Sequence, residues 1–186
     1  DADPSADGGD GDVVHIHGGN SRTDSKILKV DSTGKNDILI IRGDGIITTP
    51  HQPAFRAFRN QANWTVAGST KFDFDSTVFN TGNHYSTSTD RFTAPVAGVY
   101  QFNFSIIMYG SSHTSEWVSL RVNNNRVTGG DIHFSANFSA ARWHNVAFSH
   151  TVHINAGDYV EMFNGGNSTV NYHGSSWGQF SGHLVG

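Results

Sequence analysis

Two histidines near the start of the chain have the spacing of metal ligands. His15 and His17 flank Ile16. Because residues i and i+2 of a strand share a face, both imidazoles would point to the same side. One chain would supply two nitrogen ligands, and three chains around an axis would supply six. Six ligands in an octahedron disfavour zinc, which prefers four. The pair predicts one transition-metal ion per three chains, and the alternative is two surface histidines beside the turn at Gly18.

A second set of residues suits the recognition of sugars. Flat aromatic rings can stack on a sugar ring, while amides and hydroxyls can bind its hydroxyl groups. If successive strands run up and down, alternate connections gather at one end of the domain, far from the N-terminal segment. The loops predicted there are residues 60–63, 80–83, 110–115, 155–157 and 173–178. The predicted ligand-binding side chains in or beside them are Trp64, His84, Tyr109, His113, Trp117 and Trp177. The alternative for each tryptophan is that it packs inward.

The sequence carries no pattern typical of a catalytic site. It has no serine nucleophile elbow, no His-Glu-x-x-His helix and no paired catalytic carboxylates. His133, His144, His150 and His153 lie in or beside predicted strands, which favours structural, hydrogen-bonded histidines. The tripeptide Arg42-Gly43-Asp44 is explained by a turn at residues 43–45. The sequence therefore predicts that the protein is not an enzyme.

The elements that must position these side chains are strands. From Tyr100 to Met108, apolar residues alternate with Gln101, Asn103 and Ser105. A period of two indicates a long strand with one strongly apolar face. Its apolar face requires a second sheet to cover it.

Further strands follow the same alternation, and no segment shows a sustained helical period. Val146, Phe148, Val152 and Ile154 are predicted to share a buried face. The other predicted strands cover residues 71–75 running towards 79, 84–89, 117–122, 143–154, 159–163, 170–172 and 180–185.

Three regions are predicted along the chain. Residues 1–12 are an Asp- and Gly-rich linker without the carboxylate spacing of a calcium loop. Residues 13–50 hold short Ile- and Val-rich strands separated by turns, too few to bury a core in one chain. Pro50 and Pro53 disfavour sheet pairing and predict a boundary, so the globular domain is predicted at residues 53–186.

Composition narrows the classes of function. The chain has 186 residues, a net charge of −4, 15% charged residues, 21 Gly, 13 Phe and no Cys. Aromatic strands separated by Gly- and Asn-rich turns are typical of all-β proteins. The absence of a Lys/Arg cluster argues against a nucleic-acid partner. No apolar run approaches the length that spans a membrane, so membrane insertion is not expected.

The central motifs resemble the globular C1q domain of the C1q/TNF-like superfamily. Phe92-Thr93-Ala94-Pro95-Val96, then Gly98-Val99-Tyr100 and Phe102-Asn103-Phe104, are similar to that family's signature. Phe79-Asn80, Leu120-Arg121-Val122-Asn123, Gly157-Asp158-Tyr159-Val160 and Phe180-Ser181-Gly182-His183-Leu184 also match in order. The resemblance implies an all-β, ten-strand jelly-roll β-sandwich that assembles as a homotrimer.

The N-terminal segment resembles the shafts of phage and viral tail fibres, which implies a short β-rich trimeric shaft. Trimeric fibres of that kind hold iron through His-x-His pairs, so the resemblance favours iron at His15 and His17.

These patterns together predict a trimeric, non-enzymatic binding protein. Its expected context is the distal part of a phage or viral tail fibre that recognises a host-surface receptor or glycan, placing it in the virion. A secreted, extracellular C1q-like lectin or defence protein is one alternative. A structural trimerisation cap that binds nothing is another.

Overall fold

The computed structural model describes residues 26–186, except for the side chains of residues 111–115, 136–139 and 176. The linker at residues 1–12 and the histidine pair His15 and His17 lie outside the described residues. The chain divides into two compact units, Asp1–His51 and Gln52–Gly186, which are described separately. No helix among the described residues is long and apolar enough to cross a membrane.

The described part of the first unit is a small antiparallel sheet. Its strands are β1 (Lys26–Ser32), β2 (Lys35–Arg42) and β3 (Ile47–Thr48), paired in the order β1-β2-β3. Gly34 adopts a φ of +78° in the turn between β1 and β2, a conformation that favours glycine. No residue from 26 to 51 is buried, and Ile47 is 63% exposed. Within these residues the sheet therefore has no core of its own.

The second unit consists of strands and one 3₁₀ turn, Ser175–Trp177. In chain order the strands are β4 (Ala54–Phe58), β5 (Asn63–Val66), β6 (Thr70–Lys71), β7 (Ser76–Thr81), β8 (Tyr85–Ser86), β9 (Arg91–Thr93), β10 (Gly98–Val122), β11 (Asn125–Ile154), β12 (Tyr159–Asn164), β13 (Val170–His173) and β14 (Gln179–Leu184).

The two long strands β10 and β11 pass through both layers of a sandwich. In the first layer, sheet I, the order is β7-β4-β14, then residues 98–109 of β10, then residues 143–154 of β11. The second layer, sheet II, has the order β8-β9-β12, then residues 118–122 of β10, which pair with the start of β11. Strands β5 and β13 extend sheet I beside residues 107–109. All of these pairs are antiparallel. The predicted all-β jelly-roll sandwich is confirmed.

The core lies between the two layers and is rich in aromatic side chains. Tyr100, Phe102, Phe104, Ile106 and Met108 are each at most 1% exposed, so the predicted alternation of this strand is confirmed. The ring of Phe102 lies 5.8 Å from that of Phe92 on β9, which links the two layers. Each such side chain contributes about 1.5–3 kcal/mol through burial.

Two predicted strands differ from the structure, and part of β11 lies outside the predicted strands. Residues 72–75 join no ladder: Phe72 and Phe74 are buried, but the Asp73 carboxylate between them accepts hydrogen bonds from side chains instead. The segment 84–89 pairs only at Tyr85–Ser86, since residues 87–90 form a turn. The first half of β11 was not predicted, because Gly129 and Gly130 interrupt its pattern.

Candidate ligand-binding site

The outward face of sheet I ends in a patch of four rings, here called the platform: Tyr109, Trp143, His173 and Trp177. The ring centroids of Tyr109 and Trp143 are 4.6 Å apart, those of Trp143 and His173 5.2 Å, and those of His173 and Trp177 5.4 Å. The three larger rings are exposed, Tyr109 at 41%, Trp143 at 54% and Trp177 at 57%. In the single chain, the platform is a continuous aromatic surface that is exposed to solvent.

Strand register brings the platform together from distant parts of the sequence. Tyr109 pairs with Trp143 on one side and with Asn171 on the other, and Asn171 in turn pairs with Thr65. Because Met108 is buried, its neighbour Tyr109 faces outward, and the alternation extends across the row. The row therefore presents a hydroxyl, an amide and two rings on one face.

The 3₁₀ turn that carries Trp177 is fixed by backbone hydrogen bonds to the loop after β4. The Gly174 amide donates to the Ala62 carbonyl at 3.0 Å, and the Ser175 amide donates to the Arg59 carbonyl. A Cβ atom at Gly174 would lie 2.3 Å from the Gln61 carbonyl oxygen, so only glycine allows this approach. The turn therefore holds Trp177 beside His173 in the platform.

A groove of about 390 Å³ lies beside Tyr109 and Trp143, in the range of about 300–1,000 Å³ that is typical of small-ligand sites. Its lining consists of Asn63, Trp64, Thr65, Tyr109, Trp143, Asn171 and Tyr172. Asn63, Thr65 and Asn171 are exposed, and the Thr65 hydroxyl donates to the Asn171 side-chain carbonyl at 3.0 Å. The Asn171 amide group remains as a donor towards a ligand.

Trp64 and Tyr172 are the buried members of the groove lining. Trp64 is 5% exposed and donates through Nε1 to the Asp73 carboxylate at 2.6 Å, while Arg59 binds the other oxygen of Asp73. Burial raises the pKa of the Tyr172 hydroxyl, and the nearby Glu116 carboxylate raises it further. Tyr172 is therefore protonated and uncharged at neutral pH, so the groove floor is neutral.

The structure brings together only part of the set of residues predicted from sequence. Tyr109 and Trp177 lie in the platform, and Trp64 is a buried residue of the groove lining. His84 covers Gly82, and its ring lies 6.5 Å from that of Phe92. The side chain of His113 lies outside the described residues.

Trp117 lies on the other sheet of the sandwich. The Arg126 guanidinium carbon is 4.2 Å from its ring centroid, and His133 stacks on it at 5.6 Å. Trp117 therefore belongs to a different surface from the platform.

The prediction that the five loops gather at one end is wrong. Gly98 pairs with Ile154 and Ala54 with Thr81, so loops 80–83 and 155–157 lie at one end of the sandwich. Ile107 pairs with His173, which places loops 110–115 and 173–178 at the opposite end. Loop 80–83 lies at the first of these ends because β7 runs antiparallel to β4 and finishes beside Ala54.

Sequence reasoning did not single out Trp143 and His173. The sequence pattern places Trp143 in a strand but does not indicate which way its side chain points, and it places His173 only at the start of a loop. The signal available was the phase of Val146: counting back by an odd number of residues places Trp143 on the outward face.

The described residues contain no group of three or more His, Asp or Glu side chains that could hold a metal ion. The predicted site at His15 and His17 lies outside those residues and stays a prediction.

The fold defines the class of protein to which the second unit belongs. The second unit is a jelly-roll sandwich with exposed rings and amides on the outward face of sheet I. The chain belongs to the C1q domain family, whose profile matches residues 54–185.

Solved structures with the same fold include complement and TNF-type domains. The globular domain of zebrafish complement 1qA is 19% identical, covers 73% of this chain and 98% of its own, and has a TM-score of 0.52. Eiger TNF from S. frugiperda is 13% identical, covers 73% and 93%, and has a TM-score of 0.59. Murine APRIL is 13% identical, covers 72% and 99%, and has a TM-score of 0.53. At these identities the likeness concerns the fold.

Proposed function

We propose that this protein is a non-enzymatic, trimeric binding module whose C1q domain recognises a neutral glycan at the platform. The observation that carries the proposal is the platform itself, four contacting rings beside a groove edged by amides and a hydroxyl. Flat rings bind the apolar face of a sugar, and the side chains of Asn63, Thr65 and Asn171 bind its hydroxyl groups. C1q domains are binding modules, which supports recognition rather than catalysis.

The absence of carboxylates from the lining supports a neutral ligand. The groove is lined by amide, hydroxyl and aromatic groups, and none of its lining residues carries a formal charge at neutral pH. A charged ligand buried there would lose hydration without gaining a partner of opposite charge. An uncharged sugar would exchange its bonds to water for bonds to Asn63 and Asn171.

Homotrimer formation is supported by the first unit. Ile27, Val30, Ile46 and Ile47 are all exposed in a sheet without buried residues. Exposed apolar side chains of this density favour association, and homo-oligomers normally close around a symmetry axis. Three copies wrapped around one axis would cover these side chains.

The context we propose is the distal part of a phage or viral tail fibre, with this sheet as shaft and a host-surface glycan as ligand. The metal at His15 and His17 remains part of that proposal. The alternative context is a secreted C1q-like lectin, which would use the same platform without belonging to a fibre.

The oligomeric state is tested by analytical ultracentrifugation of the whole chain. We expect a trimer at micromolar concentration without added ligand. A monomer under these conditions would contradict the proposed assembly.

The binding function is tested on an array of neutral and acidic glycans with the Trp143→Ala variant. Removal of a central aromatic contact costs about 2 kcal/mol in binding, or roughly 30-fold in Kd. The matched control is Phe79→Ala, because Phe79 is a 47% exposed aromatic residue outside the platform. We expect Trp143→Ala alone to weaken binding.

Two outcomes would contradict the proposal. Equal weakening in both variants would indicate a nonspecific effect of losing exposed rings. A wild-type trimer that binds no glycan on the array would favour the structural trimerisation cap.

A further inference from the structure

The outward face of sheet II carries a row of charges in cross-strand register. Arg121 on β10 pairs with Glu161 on one side and with Arg126 on the other. Arg91 extends the row, and its Nε donates to the Glu161 carboxylate at 2.9 Å. Since neighbouring strands lie about 4.8 Å apart, the row spans on the order of 14 Å. Arg91, Arg121 and Arg126 are here called the arginine row.

Each guanidinium of the arginine row lies over an aromatic ring. The guanidinium carbon lies 3.9 Å from the ring centroid in Arg91–Tyr159, 3.5 Å in Arg121–Phe163 and 4.2 Å in Arg126–Trp117. Stacking fixes the plane of the guanidinium group while leaving its N–H edges available. Fixed N–H edges are the donors that bind planar or tetrahedral oxyanions through two hydrogen bonds.

The three arginines are neutralised unequally. Arg91 is paired with Glu161, and Arg126 donates to the Asp131 carboxylate through Nε at 3.0 Å. Among the described residues, Arg121 has no carboxylate within 4 Å. Its hydrogen-bond acceptors are neutral, the Ser119 hydroxyl at 3.4 Å and the Asn124 amide oxygen at 3.2 Å.

Arg121 and Arg126 stand directly opposite each other on neighbouring strands. Like charges in this position destabilise a sheet. Burial lowers the pKa of the Arg121 guanidinium; Glu161 opposes this shift and Arg126 adds to it. Burial and the neighbouring Arg126 therefore disfavour the charged form of Arg121, whose hydrogen bonds go to neutral acceptors.

We propose that the arginine row is an oxyanion-binding site, with Arg121 and Arg126 as the contacts, and that it takes a sulfate or carboxylate group of an acidic polysaccharide. An oxyanion between the two guanidinium groups would replace their repulsion with two charge-assisted contacts. The site shares no residue with the platform, and the inference holds whether or not the platform binds a neutral sugar.

The charge balance favours a polysaccharide over a nucleic acid. The row contains three arginines against Glu161 and Asp131, which leaves one positive charge in excess. Nucleic-acid sites neutralise several phosphates at once, and the whole chain has a net charge of −4. A single uncompensated arginine on an open sheet face suits one acidic group of an extended chain.

The experiment measures binding of immobilised wild-type protein to three probes, dextran sulfate, polygalacturonate and uncharged dextran. Arg121→Gln removes the charge and keeps the length of the side chain. Loss of a charged hydrogen-bond partner predicts about tenfold or greater weakening for the acidic probe. The matched control is Arg56→Gln, which removes the same charge from an exposed position on sheet I.

Dextran sulfate binding would assign a sulfate ligand, and polygalacturonate binding a carboxylate ligand. Arg121→Lys keeps the charge but loses the planar fork, so its affinity should fall between those of wild type and Arg121→Gln. Thermal melting identifies any variant that fails to fold, and the exposed Arg126→Gln then provides the second test. Equal weakening in Arg56→Gln, or no binding of either acidic probe, would overturn the proposal.

Discussion

The two outward faces of the sandwich differ in charge although they rest on one core. On sheet I, residues 98–109 of β10 and 143–154 of β11 present amides, hydroxyls and rings, without a carboxylate. Neutral hydrogen bonds join these strands, such as Thr151 Oγ1 to Gln101 Oε1 at 2.6 Å and Ser149 Oγ to Asn103 Oδ1 at 2.8 Å. On sheet II, the same two strands carry Arg121, Arg126 and Asp131, and β9 and β12 add Arg91 and Glu161.

The difference shows that the outward residues of each strand can vary in chemistry, whereas the inward residues cannot. Inward residues of both sheets must be apolar, since they fill one core between the layers. Outward residues need only be compatible with water and with their cross-strand neighbours. Their chemistry can therefore differ between the two sheets. We therefore expect the faces to respond differently to core, charge, salt and pH perturbations.

The largest effect is expected from a substitution in the core, which supports both faces. Phe102→Ala empties a site that is 0% exposed and contacts rings of both layers. Loss of a buried Phe costs about 3–5 kcal/mol in the free energy of unfolding. Urea denaturation should show this loss, with a smaller loss in Phe102→Leu. A variant that lost only one binding activity at full stability would contradict a common core.

A second substitution should separate the faces. A Cβ atom at Gly165 would lie 2.2 Å from the Trp117 ring, which Arg126 and His133 cover. Gly165→Ala should therefore displace Trp117 and weaken binding of the acidic probe, with an overpacking cost of about 1–3 kcal/mol. Binding at the platform should persist. Gly186→Ala is the control, because nothing lies within 4 Å of its added Cβ. Equal loss of both activities would show that the faces are coupled.

The sequence predicted the fold because its signals are local and repeated. The alternation from Tyr100 to Met108 identified the central strand and its buried face, and the burial of Val146 and Ile154 confirms a second one. The ordered C1q-like motifs extended these local signals to the whole domain, where the family profile matches.

The site could be predicted only in part because it depends on sheet order. Tyr109, Trp143 and His173 are distant in sequence and meet through register between three strands. Trp117 follows Tyr109 by eight residues, yet β10 has by then passed into the other sheet. Local alternation indicates which side of a strand is polar but not which strand lies beside it.

Salt should separate the two faces without any mutation. Raising NaCl from about 0.1 M to about 1 M shortens the Debye length from about 10 Å to about 3 Å. Binding of the acidic probe to the arginine row should weaken, whereas neutral hydrogen bonds and stacking at the platform should change little. Isothermal titration at several salt concentrations measures both. A strong salt dependence of neutral glycan binding would indicate a charged contact at the platform.

The smallest expected effect concerns pH and a turn that leads into sheet II. Asp158 accepts hydrogen bonds from the Asn123 side-chain amide at 2.7 Å and from the Asn155 backbone amide at 2.8 Å. These bonds lower the pKa of Asp158 below its ordinary value, the Asn123 bond most strongly. Asn123 in turn accepts from the Tyr159 amide at 3.1 Å, which ties the carboxylate to the first residue of β12.

The sign of the pH effect follows from the lowered pKa. A carboxyl group that is more acidic in the folded state stabilises the fold above the unfolded pKa, and this stabilisation is lost as pH falls. The stability difference between wild type and Asp158→Asn should therefore be constant near neutral pH and should shrink below about pH 4. Thermal melts of both proteins between neutral and acid pH measure it. Because Asp158 is exposed, the shift should be small, and parallel curves down to the lowest pH would show that its carboxylate contributes nothing to the turn.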